Sequence, residues 1–158
     1  MVANKLLTLV FVRKQFEILL GYKKRGFGMG KWNGFGGKVE KGETIVEAAV
    51  RELEEESGLI ASPDSLLNVA LLKFEFAGDP QVLEVHVFTT TEVTCEPIET
   101  SEMRPKWYNI ESIPFDKMWA DDKLWFPLLL SDKKFTGYFL FEGMDTILKQ
   151  DLKEVAEL

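Results

Sequence analysis

Hydrophobic positions along most of the chain occur in short blocks, and several of these blocks alternate with polar residues as in β-strands. Strands are predicted at 6–12, 16–22, 66–76, 82–93, 104–109, 135–141 and 146–151. Polar or glycine-containing segments at 13–15, 78–80 and Gly143 separate consecutive blocks, which indicates hairpins. Because strands outnumber helices and often follow one another directly, the pattern predicts a mixed α+β fold.

The segment 45–57 shows helical periodicity instead. Thr44 and Glu47 form a capping-box sequence at its start, and Gly58 is suited to end it in the left-handed conformation. At about 100° per residue, one face of this helix is apolar and is expected to be buried. That face consists of Val46, Ala49, Val50 and Leu53. A second, shorter helix is predicted at 121–130.

The chain has the size and composition of a single domain, 1–158. Its 158 residues are 46% hydrophobic and include 12 Phe and 4 Trp, which is enough for a packed core. A formal net charge of −7 argues against binding to a nucleic acid polymer or to an anionic membrane. The apolar run 6–12 is too short to cross a bilayer. Cys95 is the only cysteine, so no intramolecular disulfide can form, and a reducing compartment such as the cytoplasm is expected.

A crowded acidic surface on the predicted helix 45–57 is the strongest chemical signal. Glu55 and Glu56 follow Glu52 by three and four residues, so the three carboxylates are neighbours on the helix surface. Like charges near the negative end of a helix destabilise it. A divalent cation such as Mg²⁺, which prefers oxygen ligands, would reverse that effect. A solvated acidic face is the alternative if the helix is considered alone.

A longer pattern around this helix favours the metal site. It has the spacing G-x5-E-x7-R-E-U-x-E-E-x-G-U, where U is aliphatic, and it runs from Gly37 to Leu59. Arg51 is spaced to bridge Glu47 and Glu55 on the helix surface. A chance match to the whole spacing is improbable, so the solvated face becomes the weaker interpretation.

This pattern resembles the Nudix hydrolase signature, and every defining position of the box at 37–59 is filled. The resemblance implies a Nudix α/β/α sandwich with a mixed central sheet, and hydrolysis of a nucleoside diphosphate linked to another group. It also implies that Arg51 and Glu43 brace the loop against the helix, with Mg²⁺ as the cofactor and Mn²⁺ as a substitute. The implied catalytic residues are Arg51, Glu52, Glu55 and Glu56. Among the glutamates we select Glu56 as the base, although coupled glutamates can exchange roles. The implied metal ligands are Glu52, Glu55, Glu56, Glu102 and the backbone carbonyl of Gly36.

Specificity must come from residues outside the box. Trp119, Asp121 and Asp122 could hold a purine by stacking and by accepting its N–H donors, although an aspartate that caps the helix is the simpler alternative. Asn33 could read a base edge, but it is equally typical of a turn before glycine. An apolar pocket, or alternatively ordinary core, is predicted for Phe27, Phe74, Phe76, Leu83 and Met103.

A polyphosphate ligand would also need local positive charge in this acidic chain. Basic residues surround the glycine-rich stretch, namely Lys23, Lys24, Arg25, Lys31 and Lys38. Such clusters are usually solvated loops, so only Lys23 and Lys38 are given weight as ligand-binding candidates.

Three further segments extend the resemblance to one branch of the Nudix family, whose members hydrolyse oxidised purine nucleoside triphosphates to the monophosphate and pyrophosphate. These are GFGMGKWNGFGGKV, WADDKLWFPLLL and SEMRPKWY. The branch implies a monomer in the cytoplasm, with the nucleus and mitochondria as further compartments. Ala120 and Leu83 depart from its usual proline and methionine, which affects fine specificity. The implied substrate-binding residues are Thr8, Lys23, Phe27, Asn33, Phe35, Gly36, Gly37, Lys38, Phe74, Trp119, Ala120, Asp121 and Asp122.

Adjacent Asp121 and Asp122 suggest how one pocket accepts two oxidised bases. Two close carboxyls do not both ionise freely, so one can donate while the other accepts, and exchange of the proton would match either 8-oxoguanine or 2-oxoadenine. Another Nudix substrate, such as a dinucleoside polyphosphate or a nucleotide sugar, is the first alternative function. A nucleotide-binding module without catalysis is the second, and the complete set of box glutamates disfavours it.

Overall fold

The computed structural model describes residues 2–158. The strands are β1 (Lys5–Arg13), β2 (Glu17–Lys23), β3 (Trp32–Asn33), β4 (Leu67–Phe76), β5 (Asp79–Thr90), β6 (Met103–Asn109), β7 (Lys134–Glu142) and β8 (Thr146–Val155). The α-helices are α1 (Ile45–Ser57) and α2 (Asp122–Leu130), and single 3₁₀ turns lie at Pro63–Ser65 and Phe115–Lys117. Within the described residues, neither α-helix has the length and apolar character needed to cross a membrane.

All eight strands form one mixed sheet. Its order is β3-β2-β1-β5-β4-β7-β8. Strand β6 pairs with the edge of β2 that lies opposite to β1 and β3. Strand β1 runs parallel to β5, and β4 runs parallel to β7, whereas the other pairs are antiparallel. The three predicted hairpins, β1–β2, β4–β5 and β7–β8, are confirmed, as is the α+β class with a mixed central sheet.

Each face of the sheet carries its own hydrophobic core. Successive side chains of a strand point to opposite faces, so Val10 and Val12 pack towards α1 while Phe11 packs towards α2. The α1 side includes Leu53, and the α2 side includes Trp125. The result is a three-layer arrangement of helix, sheet and helix.

Helix α1 begins and ends where the sequence predicts. The Thr44 hydroxyl accepts the Glu47 N–H (3.2 Å), the Glu47 carboxylate accepts the Thr44 N–H (2.7 Å), and Gly58 has φ = 76°. The buried face is rotated relative to the prediction, however. Val46 and Val50 are only partly buried, whereas the fully buried residues are Ala48, Ala49, Leu53, Glu56 and Ser57. The helix therefore turns one of its glutamates inwards.

Three strand boundaries differ from the prediction by three residues or more, and one strand was not predicted. Strand β5 ends at Thr90 and not at Val93. Strand β5 begins at Asp79, because the connection to β4 is a tight turn in which Asp79 already pairs with Phe76. Strand β8 continues to Val155, where it still pairs with Lys134, although most of its side chains are exposed. The two-residue β3 was not predicted, since its residues lie within a glycine-rich loop without alternation.

The glycine-rich segment after β3 lies along β1 and pairs with it through isolated β-bridges. Phe35 and Val10 exchange two backbone hydrogen bonds of 2.6 and 2.9 Å, and the Thr8 N–H donates to the Gly37 carbonyl (2.9 Å). Between these bonds, the Gly36 backbone touches β1 so closely that an added Cβ would lie 1.8 Å from the Thr8 carbonyl oxygen. Only glycine fits at this position.

We expect Gly36→Ala to lower the free energy of unfolding by about 3 kcal/mol or more, because a β-carbon would collide with backbone that cannot move without breaking the pairing with β1. Chemical denaturation would measure the change. Gly37→Ala is the matched control, since a Cβ there meets the end of the Glu52 side chain instead of backbone. Equal stability losses in the two variants would contradict this account.

Candidate active site

A cavity of about 610 Å³ opens beside the glycine-rich segment, and its wall draws on β1, β2, β4, β5 and α2. This volume is typical of sites for small molecules. Many of the residues predicted to bind substrate or to line a pocket lie in its wall: Thr8, Lys23, Phe27, Asn33, Gly36, Gly37, Phe74, Phe76, Leu83, Met103, Trp119, Asp121 and Asp122. Glu56 joins them at the wall, so the cavity has an acidic pair at α2 and a further carboxylate from α1.

Two buried carboxyls at the start of α2 have unused hydrogen-bonding capacity. Asp121 and Asp122 are each 2% exposed. Asp121 Oδ2 accepts the Trp125 indole N–H at 2.7 Å, while Asp121 Oδ1 and Asp122 Oδ2 have no partner among the described residues. The alternative that Asp121 caps the helix is wrong, because its side chain makes no capping hydrogen bond. Buried polar atoms normally have partners, so these oxygens indicate a ligand position.

Burial changes the protonation of this pair. It raises the pKa of Asp121 to about 6, and it raises the pKa of Asp122 well above its ordinary value, with the neighbouring Asp121 charge as the next cause. Because two such close carboxylates do not both ionise freely, the pair retains a proton near neutral pH. It can therefore offer one donor and one acceptor at the same time.

Aromatic rings and an amide complete this end of the cavity. The Trp119 ring centre lies 5.2 Å from that of Phe27 and 6.2 Å from that of Phe76. Asn33 Oδ1 accepts the Gly34 N–H at 2.8 Å, so Asn33 stabilises the turn and also lines the cavity. With its oxygen used in this way, the Asn33 amide group has its N–H donors left for a ligand.

Glu56 is the carboxylate that α1 turns towards the cavity. It is 6% exposed, accepts the Gly36 N–H at 3.0 Å and lies 3.7 Å from Lys23 Nζ. Burial raises the pKa of Glu56 to about 7, against the opposing effects of the Gly36 hydrogen bond and the Lys23 charge. A carboxyl with a pKa near neutrality can both accept and release a proton at physiological pH.

Arg51 connects the box loop to the helix. It forms a two-pronged ion pair with Glu43 (2.7 and 3.0 Å), which confirms the predicted brace, and it donates to the carbonyl of Lys38 (3.0 Å). It also bonds Glu52 (2.9 Å) and Glu55 (3.2 Å). The predicted bridge to Glu47 is wrong, because the Glu47 carboxylate is engaged in the helix cap.

The three box glutamates do not share one exposed patch as predicted. The Glu55 side chain is 57% exposed, whereas that of Glu52 is 14% exposed. The Glu52 carboxylate lies against Gly37, since a Cβ added to Gly37 would be 2.6 Å from the carboxyl carbon of Glu52. Burial raises the pKa of Glu52, and the Arg51 hydrogen bond opposes this. The rotation of α1 therefore places Glu52 and Glu56 inwards and leaves Glu55 towards solvent.

Glu102 approaches from the loop before β6. It pairs with Arg25 (2.7 Å) and with Lys23 (3.4 Å), and the Arg25 hydrogen bond holds the pKa of Glu102 below its ordinary value. Across residues 2–158, no three Asp, Glu, His or Cys side chains converge tightly enough to ligate a metal as they stand. Glu52, Glu56 and Glu102 are instead each paired with a cationic side chain. Their hard oxygen donors fit the preferences of a divalent cation that would replace these partners.

Three residues predicted to bind substrate lie outside the cavity wall. Phe35 is fully buried in the core beneath α1, Lys38 is exposed, and Ala120 packs on the core near α2. Wall residues that sequence reasoning missed include Lys5, Leu7, Leu9, Lys31, Gln81, Val85 and Trp125. Alternation along β1 and its register with β5 could have identified Leu7 and Val85, which pair directly, but nothing in the sequence distinguished Lys31 from its basic neighbours.

The mixed sheet, the box loop and the inward-facing glutamates of α1 define a member of the Nudix family. The family model described as NUDIX domain matches residues 5–129, and the chain belongs to this family. The chain is 55% identical over 158 residues to the oxidized purine nucleoside triphosphate hydrolase of Danio rerio, with 100% of both proteins covered. The protein of the same name from Mus musculus is 53% identical over 155 residues, with 98% of each covered. The crystal structure of a MutT protein from Bacillus halodurans has a TM-score of 0.83 and 26% identity, over 94% of this chain and 97% of that one.

We expect Asp122→Asn to raise the free energy of unfolding at pH 8 by on the order of 1–3 kcal/mol and to change it little at pH 4. The pKa of Asp122 lies above its ordinary value of 3.8, so the folded chain binds this proton more tightly than the unfolded chain. Stability is consequently lost as the pH rises above about 4, and the substitution removes that loss. Urea unfolding at the two pH values would measure the effect.

The control for this prediction is Asp116→Asn, because Asp116 is exposed. It should leave stability nearly unchanged at both pH values. An Asp122→Asn effect of equal size at pH 4 and pH 8 would show that the loss of stability does not come from ionisation of Asp122.

Proposed function

We propose that this chain hydrolyses oxidised purine nucleoside triphosphates to the monophosphate and pyrophosphate, and so removes damaged precursors before they enter DNA. The observation that carries the proposal is the buried pair Asp121 and Asp122, which has two oxygens without a partner among the described residues and lines the same cavity as Glu56. The activity named for the Danio rerio and Mus musculus relatives, which match over almost the full length, supports the same substrate class.

The base would bind at the α2 end of the cavity. Trp119 offers an aromatic face for stacking, and the aspartate pair offers one donor and one acceptor to the base edge. The Asn33 amide adds a donor. Exchange of the proton between Asp121 and Asp122 would allow the pair to match either 8-oxoguanine or 2-oxoadenine.

The phosphate chain would lie towards α1, where Lys23 supplies positive charge. Glu52, Glu56, Glu102 and the Gly36 carbonyl are the groups proposed to hold Mg²⁺, with Mn²⁺ as a substitute, and Glu55 contributes from the solvent side. The bound cation would neutralise phosphate oxygens and acidify water. Members of the Nudix family generally require a divalent metal, and the pairing of the three inward carboxylates with cations fits exchange for such an ion.

Glu56 is the proposed proton acceptor for the attacking water. Its burial and its pKa of about 7 suit a group that must be ionised at the start of the reaction and protonated during it. The Gly36 N–H fixes one carboxylate oxygen of Glu56, and Arg51 orients Glu52 beside it. Arg51 therefore acts by positioning the box residues and not by contacting the purine base of the substrate.

We further propose that residues 1–158 form one domain that acts as a monomer in the cytoplasm, with the nucleus and mitochondria as additional compartments. The exposed thiol of Cys95, the single cysteine, fits a reducing compartment. The formal charge of −7 disfavours nucleic acid polymers and anionic membranes as partners.

A product assay tests the reaction and the substrate class together. With Mg²⁺, 8-oxo-dGTP and 2-oxo-dATP should be converted to the monophosphate and pyrophosphate with much higher kcat/KM than dGTP, and chelation of the metal should stop turnover. Dinucleoside polyphosphates and nucleotide sugars belong in the same panel. Faster cleavage of either compound class would replace the proposed substrate while retaining a Nudix reaction.

Replacement of Glu56, the proposed general base, should separate catalysis from nucleotide binding. Glu56→Gln should reduce kcat by about 10²-fold or more, because the amide cannot accept the proton, while calorimetry should still detect nucleotide binding. Glu54→Gln is the control, since Glu54 is an exposed residue of the same helix. A Glu56→Gln variant with near-normal kcat would eliminate Glu56 as the base.

A further inference from the structure

Lys31 is a cavity-wall cation to which the proposed reaction gives no role. Its side chain is only 16% exposed, and Nζ lies 5.5 Å from the centre of the Trp119 ring. On its other side, Nζ lies 2.9 Å from Asp145 Oδ1, in the turn between β7 and β8, where the Asp145 side chain is 82% exposed. Lys31 thus links the aromatic wall of the base site to a carboxylate outside it.

The aspartate pair lies next to the same aromatic residue. The Asp122 N–H donates to the Trp119 carbonyl at 3.1 Å, and both aspartates share the cavity wall with Lys31. The charged residues in that wall are Lys5, Lys23, Lys31, Glu56, Asp79, Asp121 and Asp122. Burial and then the Asp121 charge raise the pKa of Asp122, and Lys31 is the cation that opposes them.

We propose that Lys31 is a positioning residue whose charge, balanced by Asp145, sets the pH range over which the aspartate pair presents one donor and one acceptor to an oxidised purine. The geometry supports this, since the largely buried Lys31 side chain is held between Trp119 and Asp145 in the wall of the cavity that the aspartate pair also lines. This inference rests on the proposed function.

The two members of the ion pair should act in opposite directions. A cation near Asp122 favours the ionised form, so its removal lets the pair keep its proton to higher pH. Asp145 neutralises part of that cation, so removal of the Asp145 charge should make the pair lose its proton at lower pH. A merely structural contact between Lys31 and Trp119 would change the rate at every pH without moving the profile.

The test is the pH profile of kcat/KM for 8-oxo-dGTP in the full chain. Lys31→Met should move the alkaline midpoint up by about half a pH unit, the size of one charge acting across a partly buried site. Lys31→Arg should keep the wild-type midpoint, and Asp145→Asn should move it down. Thermal unfolding establishes that each variant is folded.

An unchanged midpoint in Lys31→Met, or the same shift in Lys31→Met and Lys31→Arg, would overturn the inference. So would an upward shift, or none, in Asp145→Asn, which decides the question if Lys31→Met does not fold, because Asp145 lies in an exposed turn. Failure of the proposed function has a different signature, since the wild-type chain would then hydrolyse no oxidised purine nucleotide at any pH.

Discussion

The close contact of the Gly36–Gly37 backbone with β1 on one side and α1 on the other is the constraint on which the site depends. The segment is joined to β1 by isolated β-bridges, so its position follows from the sheet. Because Gly36 has no side chain, its N–H reaches Glu56, and because Gly37 has none, the Glu52 carboxylate can lie against it. Sheet, loop and helix are thereby fixed relative to one another before any ligand binds.

The chain contains two sets of buried carboxyls, and each is costly to the fold in a different way. At α1 the inward glutamates are paired with Arg51 and Lys23, so much of their charge is compensated within the protein. At α2 the aspartates form no ion pair among the described residues, and burial raises the pKa of both, which favours retention of a proton by the pair. Charge compensation suits an exchangeable cation, whereas a shared proton suits recognition of a base edge by hydrogen bonds. The chemistry of the two ends follows from this difference in environment.

Local signals in the sequence predicted more of this structure than long-range ones. The capping box and Gly58 located α1 to the residue, because both act within one turn of helix. The rotation of that helix was not predictable, since the side on which Glu56 lies depends on how α1 packs on β1. The choice between capping and ligand binding at Asp121 likewise required the tertiary structure. The contact of Lys31 with Asp145 joins residues 114 positions apart, for which the sequence carries no signal.

The separation of the two ends of the cavity also bears on Leu83 and Ala120, the two positions that depart from the usual methionine and proline. Leu83 lies in the cavity wall, so its side chain can alter the fit of a base directly. Ala120 lies outside the wall and can act only through the backbone that carries Trp119 and Asp121. Neither residue belongs to the box at 37–59, whose geometry is set by Arg51 and the glycine-rich segment. Under the proposed function, substitutions at these two positions would tune which purine is accepted without altering the residues proposed for hydrolysis.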